Sequence, residues 1–123
     1  MSISFTGVDQ TTPTGATATQ TISSSGTLSI TTTRANSFTV ECSGFFFSPA
    51  GTFSYSTGQT SFGAEQTQTN LVFGSAYKQF GAAGAQSLSV AFSGGSTTFN
   101  HVAVEVLEGT FFFSPGPMPT FHH

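Results

Sequence analysis

The sequence predicts an all-β protein, an antiparallel sandwich of about eight strands with a jelly-roll-like or immunoglobulin-like architecture. Apolar residues alternate with Ser and Thr in many short runs, which is the period of a strand with one buried face. Gly, Pro and Asn separate these runs, and Gly interrupts the windows that could form helices. The 123 residues fit one domain, which we expect over residues 1–109, followed by an extended arm over residues 110–123.

The strands are predicted where the alternation is clearest, and their larger apolar side chains are predicted to point into the core. Cys42 belongs to this apolar set and is predicted to be a small buried residue. Glu41 and Glu105 lie between apolar positions and are predicted to point to solvent. In chain order, the alternating residues are Ile3 and Phe5; Leu28 and Ile30; Phe38, Val40 and Cys42; Phe53 and Tyr55; Leu88, Val90 and Phe92; Val102, Val104 and Val106.

Three segments need separate predictions. The runs Ser87–Ser93 and Asn100–Leu107 predict a β-hairpin, because two alternating stretches flank a Gly-Gly turn. The stretch Thr60–Asn70 is rich in Gln and Thr and predicts a loop or an edge strand. Over Asn70–Phe80, loosely spaced apolar residues leave a helix as an alternative, which Gly74 disfavours.

The string Phe-Phe-Phe-Ser-Pro occurs twice, at Phe45–Pro49 and at Phe111–Pro115. Successive side chains of an extended chain point to opposite faces, so three consecutive rings cannot all enter one core. Each copy follows a strand that carries a Glu and then a Gly, which predicts that both strands leave the same sheet margin. Chance recurrence in a biased composition is the alternative.

The end of the chain predicts an arm that docks on a neighbouring copy. Pro115, Pro117 and Pro119 exclude a helix and a central strand there. Folding back over its own sheet is the alternative for this arm. The residues predicted to contact a partner are Phe45, Phe46, Phe47, Phe111, Phe112, Phe113, Met118 and Phe121.

The low charge of the chain excludes several classes of partner. Two basic and five acidic residues form no basic patch, so we expect neither nucleic-acid binding nor attraction to an anionic membrane. No apolar stretch is long enough to span a bilayer, and the N-terminus does not resemble a secretory signal. So few charges also leave little repulsion between copies, which favours self-assembly.

The sequence shows no catalytic or cofactor signature. Gly94–Thr98 approaches a nucleophile elbow but lacks its last Gly, and a phosphate-binding loop is absent. His101 and Glu105 would share a strand face about 13 Å apart, too far to chelate one ion. The single cysteine permits no internal disulfide and no zinc cluster.

A sugar-binding site would need aromatic platforms. The chain has no Trp, and Tyr55 and Tyr77 are its only polar-tipped aromatic residues. These two tyrosines are therefore the candidate ligand contacts, with packing in the core or at an interface as the alternative.

The segment Ser4–Pro13 resembles part of a β-sandwich module of large bacterial surface or secreted proteins and of metagenomic reading frames, in which a Phe-x-Gly-Val strand precedes Asp-Gln-Thr-x-Pro. The stretches Ser87–Val90 and Phe99–Val106 are similar to the last hairpin of that module, so the resemblance covers about Ser2–Glu108. It implies a sandwich in a surface setting and no known activity. In the family this strand lies near the middle of the module, so the resemblance implies an open edge or face that needs cover.

Together these features predict a non-enzymatic structural subunit that assembles with copies of itself through apolar faces and the extended arm. Its expected setting is a surface filament or a virion component, and therefore the extracellular surface or a virion. The alternative is a β-sandwich module that binds a glycan or another surface ligand through Tyr55, Tyr77 and the Thr60–Asn70 stretch.

Overall fold

The computed structural model of the chain describes residues 4–46, 51–62, 66–68, 71–94 and 98–109, and at 45, 46, 66–68, 71 and 72 the backbone alone. Within these ranges the chain is all β and contains no helix, hence none that could cross a membrane. The nine strands are β1 (Thr14–Ser23), β2 (Ser25–Thr32), β3 (Ser37–Phe46), β4 (Phe53–Tyr55), β5 (Thr60–Ser61), β6 (Gln66–Gln68), β7 (Leu71–Phe80), β8 (Gly84–Phe92) and β9 (Thr98–Val106).

The strands form two antiparallel sheets that pack face to face, which confirms the predicted sandwich. The smaller sheet has the order β4-β8-β2, and the larger has the order β1-β9-β3-β7-β5, with β6 also paired to β7. Strands β1 and β2 pair only at Ser23 and Ser25, where the chain passes from one sheet to the other. Ser24 makes this passage in the left-handed conformation, with φ 63°.

The core lies between the sheets as two apolar clusters. Three aromatic rings meet in the second cluster, where Phe53 lies 4.9 Å from Phe92 and 5.4 Å from Phe99 between ring centroids. Each cluster draws side chains from both sheets, so the two sheets bury their inner faces against each other. The buried residues are Leu28, Ile30, Phe80, Leu88 and Ala103 in the first cluster and Phe53, Val90, Phe92 and Phe99 in the second.

Strands β3 and β9 face the opposite way from the prediction. Glu41 and Glu105 are 1% and 0% exposed, so the prediction that they point to solvent is wrong. Cys42 is exposed, so its predicted burial is wrong too, and Val102 is 42% exposed. The inner side of these strands can be polar because its polar side chains form hydrogen bonds with one another. These bonds replace the hydrogen bonds to water that burial removes.

The predicted hairpin of Ser87–Ser93 and Asn100–Leu107 is also wrong. Strand β8 pairs with β2 and β4, whereas β9 pairs with β1 and β3. The connection therefore crosses from one sheet to the other, and Phe92 packs on Phe99 across the core at 6.3 Å between ring centroids. The two strands therefore contact each other through these buried rings and not through backbone hydrogen bonds.

The other predictions have mixed outcomes. Strands β5 and β6 are short edge strands on β7, as the edge-strand alternative for Thr60–Asn70 expects. The helical alternative over Asn70–Phe80 is wrong, since β7 covers it. A strand at Phe5 is not observed, and only Val8 near it forms an isolated bridge, to Glu108. Strand β1 was not predicted, because its Thr, Ala and Gln residues carry little apolar alternation.

Candidate functional site

The outer face of the smaller sheet is an ordinary polar surface. Its strands turn Leu28, Ile30 and Leu88 inward and place Ser and Thr side chains outside. The hydroxyls of Thr27 and Ser89 lie across two neighbouring strands and share a hydrogen bond of 2.9 Å. This face is compatible with water and needs no cover.

The outer face of the larger sheet is apolar over β3, β7 and β9, by contrast, whereas β1 places the exposed Thr17, Thr19 and Thr21 there. Strands β3 and β9 direct their β-branched and aromatic residues outward, and β7 adds two more rings. Most of these side chains are half-buried, and Val102 and Cys42 at the middle of the sheet are the most exposed. We call this surface the outer apolar face; its members are Phe5, Phe38, Val40, Cys42, Phe62, Phe73, Tyr77, Val102, Val104 and Val106.

A row of aromatic rings crosses this face. Phe38 lies 5.8 Å from Phe5 and 6.2 Å from Tyr77 between ring centroids, and Tyr77 lies 4.8 Å from Phe62. All three pairs are tilted, the arrangement that favourable ring electrostatics select. The rings cover one another in part, which lets a single copy fold with this face partly exposed.

The N-terminal segment closes one end of the outer apolar face. Gly109 N–H donates to Gly7 O at 2.7 Å, and Asp9 N–H donates to Leu107 O at 3.0 Å. The Arg34 guanidinium donates to the Asp9 carboxylate and to Glu108 O, both at 2.8 Å. The Thr12 N–H, the Arg34 guanidinium and the Thr11 N–H lower the pKa of Asp9 to about 2.

A cleft lies between this segment and the sheet. Phe5, Phe38 and Val106 supply its apolar walls, and Asn36 and Gln79 supply amide groups. The Gln79 amide already donates to Asn36 O at 3.3 Å. An aromatic wall beside amide groups could contact one sugar ring or a short apolar side chain.

A buried network links the two sheets beneath the outer apolar face. His101 Nε2 and Glu41 Oε2 share a hydrogen bond of 2.5 Å, and Gln59 Nε2 donates to the other oxygen of Glu41. The Gln20 amide is best satisfied with its oxygen accepting from His101 Nδ1–H at 3.1 Å. Gln59 also accepts from Ser89 N–H of the smaller sheet at 2.8 Å.

This network contains the residue types of a catalytic relay, but it is not open to a substrate. His101 and Glu41 have side chains 0% and 1% exposed, so a substrate cannot reach them in this conformation. Their distances instead describe a polar connection between the sheets, one that lets a buried His and Glu satisfy each other.

Glu105 lies on the same inner side of β9 and forms a second, separate cluster. Its carboxylate accepts from the N–H groups of Ala16 and Thr33 at 2.8 to 3.0 Å and from the hydroxyls of Thr33 and Ser37 at 2.8 Å. Burial alone would raise the pKa of Glu105, but these hydrogen bonds outweigh it and lower the pKa. A Cβ at Gly15 would collide with the carboxylate, so only glycine fits there.

Cys42 lies at the centre of the outer apolar face. It stands opposite Val102 of β9 and Ser75 of β7 in the sheet register. Partial burial raises the pKa of its thiol, and the charge of Glu41 adds to the rise. This thiol is therefore a weak nucleophile at neutral pH.

The predicted ligand contacts Tyr55 and Tyr77 lie on different sides of the larger sheet. Tyr77 belongs to the outer apolar face, whereas Tyr55 pairs with Val90 and packs on the core from the smaller sheet, with its hydroxyl buried. They do not form one platform.

The sequence did not reveal Val102, Val104 and Val106 as part of the outer apolar face, although their alternation places them on one face of a strand.

The predicted partner contacts lie almost wholly beyond the described part of the chain. Strand β3 contains the backbone of Phe45 and Phe46, and their side chains are not described. The remaining predicted contacts lie outside the described residues: Phe47, Phe111, Phe112, Phe113, Met118 and Phe121.

Within the described ranges, no three His, Cys, Asp or Glu side chains are placed to hold a metal ion. His101 and Glu105 belong to different hydrogen-bond clusters. No protein-family model, curated protein or solved structure matches the chain. The resemblance to a bacterial surface module thus stays a prediction.

Proposed function

We propose that this protein is a non-enzymatic structural subunit that assembles with copies of itself, in a surface filament or a virion. The observation that carries the proposal is the outer apolar face, which in one molecule stands opposite an ordinary Ser/Thr face. Contiguous apolar surface of this kind is typical of an interaction site. A second copy is the occupant we favour, because a chain with so few charges repels its own copies weakly.

The arm over residues 110–123 is part of this proposal. Its Phe and Pro residues offer apolar side chains in a backbone that cannot complete a sheet interior. Gly109, the last described residue before it, lies beside Gly7 at the end of the outer apolar face. The arm thus begins next to the surface that needs cover, and on a neighbouring copy it could extend the contact.

The assembly is tested by adding one charge to each outer face of the full chain. Val102→Lys puts an ammonium on the exposed middle of the outer apolar face, and Ser87→Lys is its control on the smaller sheet. We expect wild type and Ser87→Lys to sediment well above 12.7 kDa, and Val102→Lys to sediment as a monomer, because burying an unpaired charge opposes association. A wild-type chain that stays monomeric at high concentration would disprove the proposal.

The cleft beside Phe5 and Phe38 favours the second candidate function, a module that binds a glycan or another surface ligand. Apolar rings next to the Asn36 and Gln79 amides are the chemistry that sugars require. Such a module would remain monomeric and would lose its ligand on Phe38→Ala. A chain that binds nothing on a glycan array would remove this candidate, and binding that survives Phe38→Ala would exclude the cleft as its site.

A further inference from the structure

The outer apolar face carries no charge on the strands that build it. The described side chains of β1, β3, β7 and β9 that point outward include neither acidic nor basic residues. Glu41 and Glu105 point inward, and Lys78 lies on the inner side with its ammonium 5.1 Å from the Phe80 ring. The neighbouring ion pair, Asp9–Arg34, lies at the end of the face, beside Glu108.

A neutral face is suited to meet its own copy. In a two-fold interface every residue near the axis confronts the same residue of the partner, so any charge there would face a like charge. The absence of charge removes that repulsion and leaves the apolar contacts. A partner with a charged surface would instead lose water from its ions against this face without gaining a counter-ion.

The outer side of the larger sheet is large enough for a dimer contact. Four strands at about 4.8 Å and nine residues at about 3.3 Å give it a plan area of about 600 Å², in which the outer apolar face on β3, β7 and β9 is flanked by the exposed Thr17, Thr19 and Thr21 of β1. The relief of the side chains brings the accessible area closer to the roughly 800 Å² per partner of a stable interface.

We propose that two copies pack the outer apolar faces of their larger sheets against each other, around a two-fold axis that passes near Cys42. This inference rests on the proposed self-assembly and names the surface and the partner surface. Cys42 and Val102 are its centre, since they are the most exposed members of the face and lie on its middle strands.

Cys42 is the only cysteine of the chain, so its thiol reports on this contact without any engineering. Full-length protein is treated with N-ethylmaleimide at a low and then at a high protein concentration. The alkylated fraction is followed by intact mass. We expect alkylation to slow at least about tenfold in the assembled sample, because a covered thiolate cannot reach the reagent. Val102→Lys should lose this protection and Ser87→Lys should keep it.

Each variant is compared only with its own dilute sample, because a Lys beside Cys42 would itself lower the thiol pKa. A short bis-maleimide provides the second readout. Packed sheets lie about 10 Å apart, so two Cys42 thiols near the axis should be joined into a covalent dimer.

The outcomes separate the inference from the function on which it rests. Large particles whose Cys42 reacts at the dilute rate would leave the proposed function standing and overturn the face-to-face contact. If Cys42 is protected but the bis-maleimide forms no covalent dimer, another segment, such as the arm over residues 110–123, covers the thiol. That result would also overturn the face-to-face contact. A monomer at all concentrations would end both.

Discussion

The Glu105 carboxylate is buried, and among the described residues hydrogen-bond donors rather than a cation stabilise its charge. Its donors come from β1, from the turn that follows β2, and from the start of β3. One side chain of β9 thus binds residues that lie 89, 72 and 68 positions away from it in the sequence. An acceptor with two oxygens suits this position because all of the groups around it are donors.

Glu105→Gln should destabilise the protein. The new amide turns an N–H₂ group toward backbone and hydroxyl donors, so at least one buried donor loses its acceptor. We expect a loss of about 2–4 kcal/mol in the free energy of unfolding, measured by urea denaturation at pH 7. Glu108→Gln, at an exposed position on the same segment, is the control and should change it by less than about 0.5 kcal/mol.

The pH dependence gives this prediction a second readout. The folded-state pKa of Glu105 lies below its ordinary value of 4.5, so the unfolded chain binds the proton more readily. The contribution of Glu105 to stability is therefore complete above that ordinary pKa and is lost as the pH falls through the lower folded-state pKa. Glu105→Gln should show a shallower loss of stability on acidification than wild type, and an unchanged slope would contradict the role assigned to Glu105.

At the scale of the elements, alternation predicted where strands lie better than which way they face. Residues 38–42 and 102–106 do form strands, yet their apolar side chains point away from the core. The direction is decided by hydrogen bonds between distant residues, such as His101 with Glu41, which a local pattern does not contain. The outer apolar face could be recognised only once that direction was known.

Strand pairing was also beyond the local pattern. The sequence of β8 and β9 predicts a hairpin because a Gly-Gly pair lies between two alternating stretches, but their Phe92 and Phe99 rings meet across the core. The alternation is the same in both arrangements. Burial of the rings between the two sheets favours the crossing, and this is a property of the whole sandwich.

Gly74 of β7 should tolerate no side chain. A Cβ there would lie 2.7 Å from the Phe53 ring and 2.8 Å from the Tyr55 hydroxyl, which face it from the smaller sheet. We expect Gly74→Ala to cost about 1–3 kcal/mol in the free energy of unfolding, as overpacking of a core does. Gly81→Ala is the matched control, since a Cβ at Gly81 would meet no atom within 4 Å. Equal unfolding midpoints for the two variants would contradict this account of sheet packing.

At the scale of the whole molecule, polarity is arranged unusually across the layers. The smaller sheet has an apolar inner side and a hydroxyl-rich outer side, as expected of a sandwich in water. The larger sheet adds two acids and a histidine to the core residues on its inner side, and its outer side is apolar over β3, β7 and β9. Such a sheet resembles the middle layer of a larger stack, and a second copy would supply the missing layer.

Association through the outer apolar face should respond to temperature and to salt type rather than to ionic strength. No charge lies on that face, so the dimer dissociation constant should change less than about threefold between 0.05 and 0.5 M NaCl. Sulfate should strengthen association and cooling should weaken it, because both act on the burial of apolar surface. Sedimentation equilibrium measures all three. A steep weakening in NaCl would place the contact at charged groups instead, and the Asp9–Arg34 end of the larger sheet would then be the surface to examine.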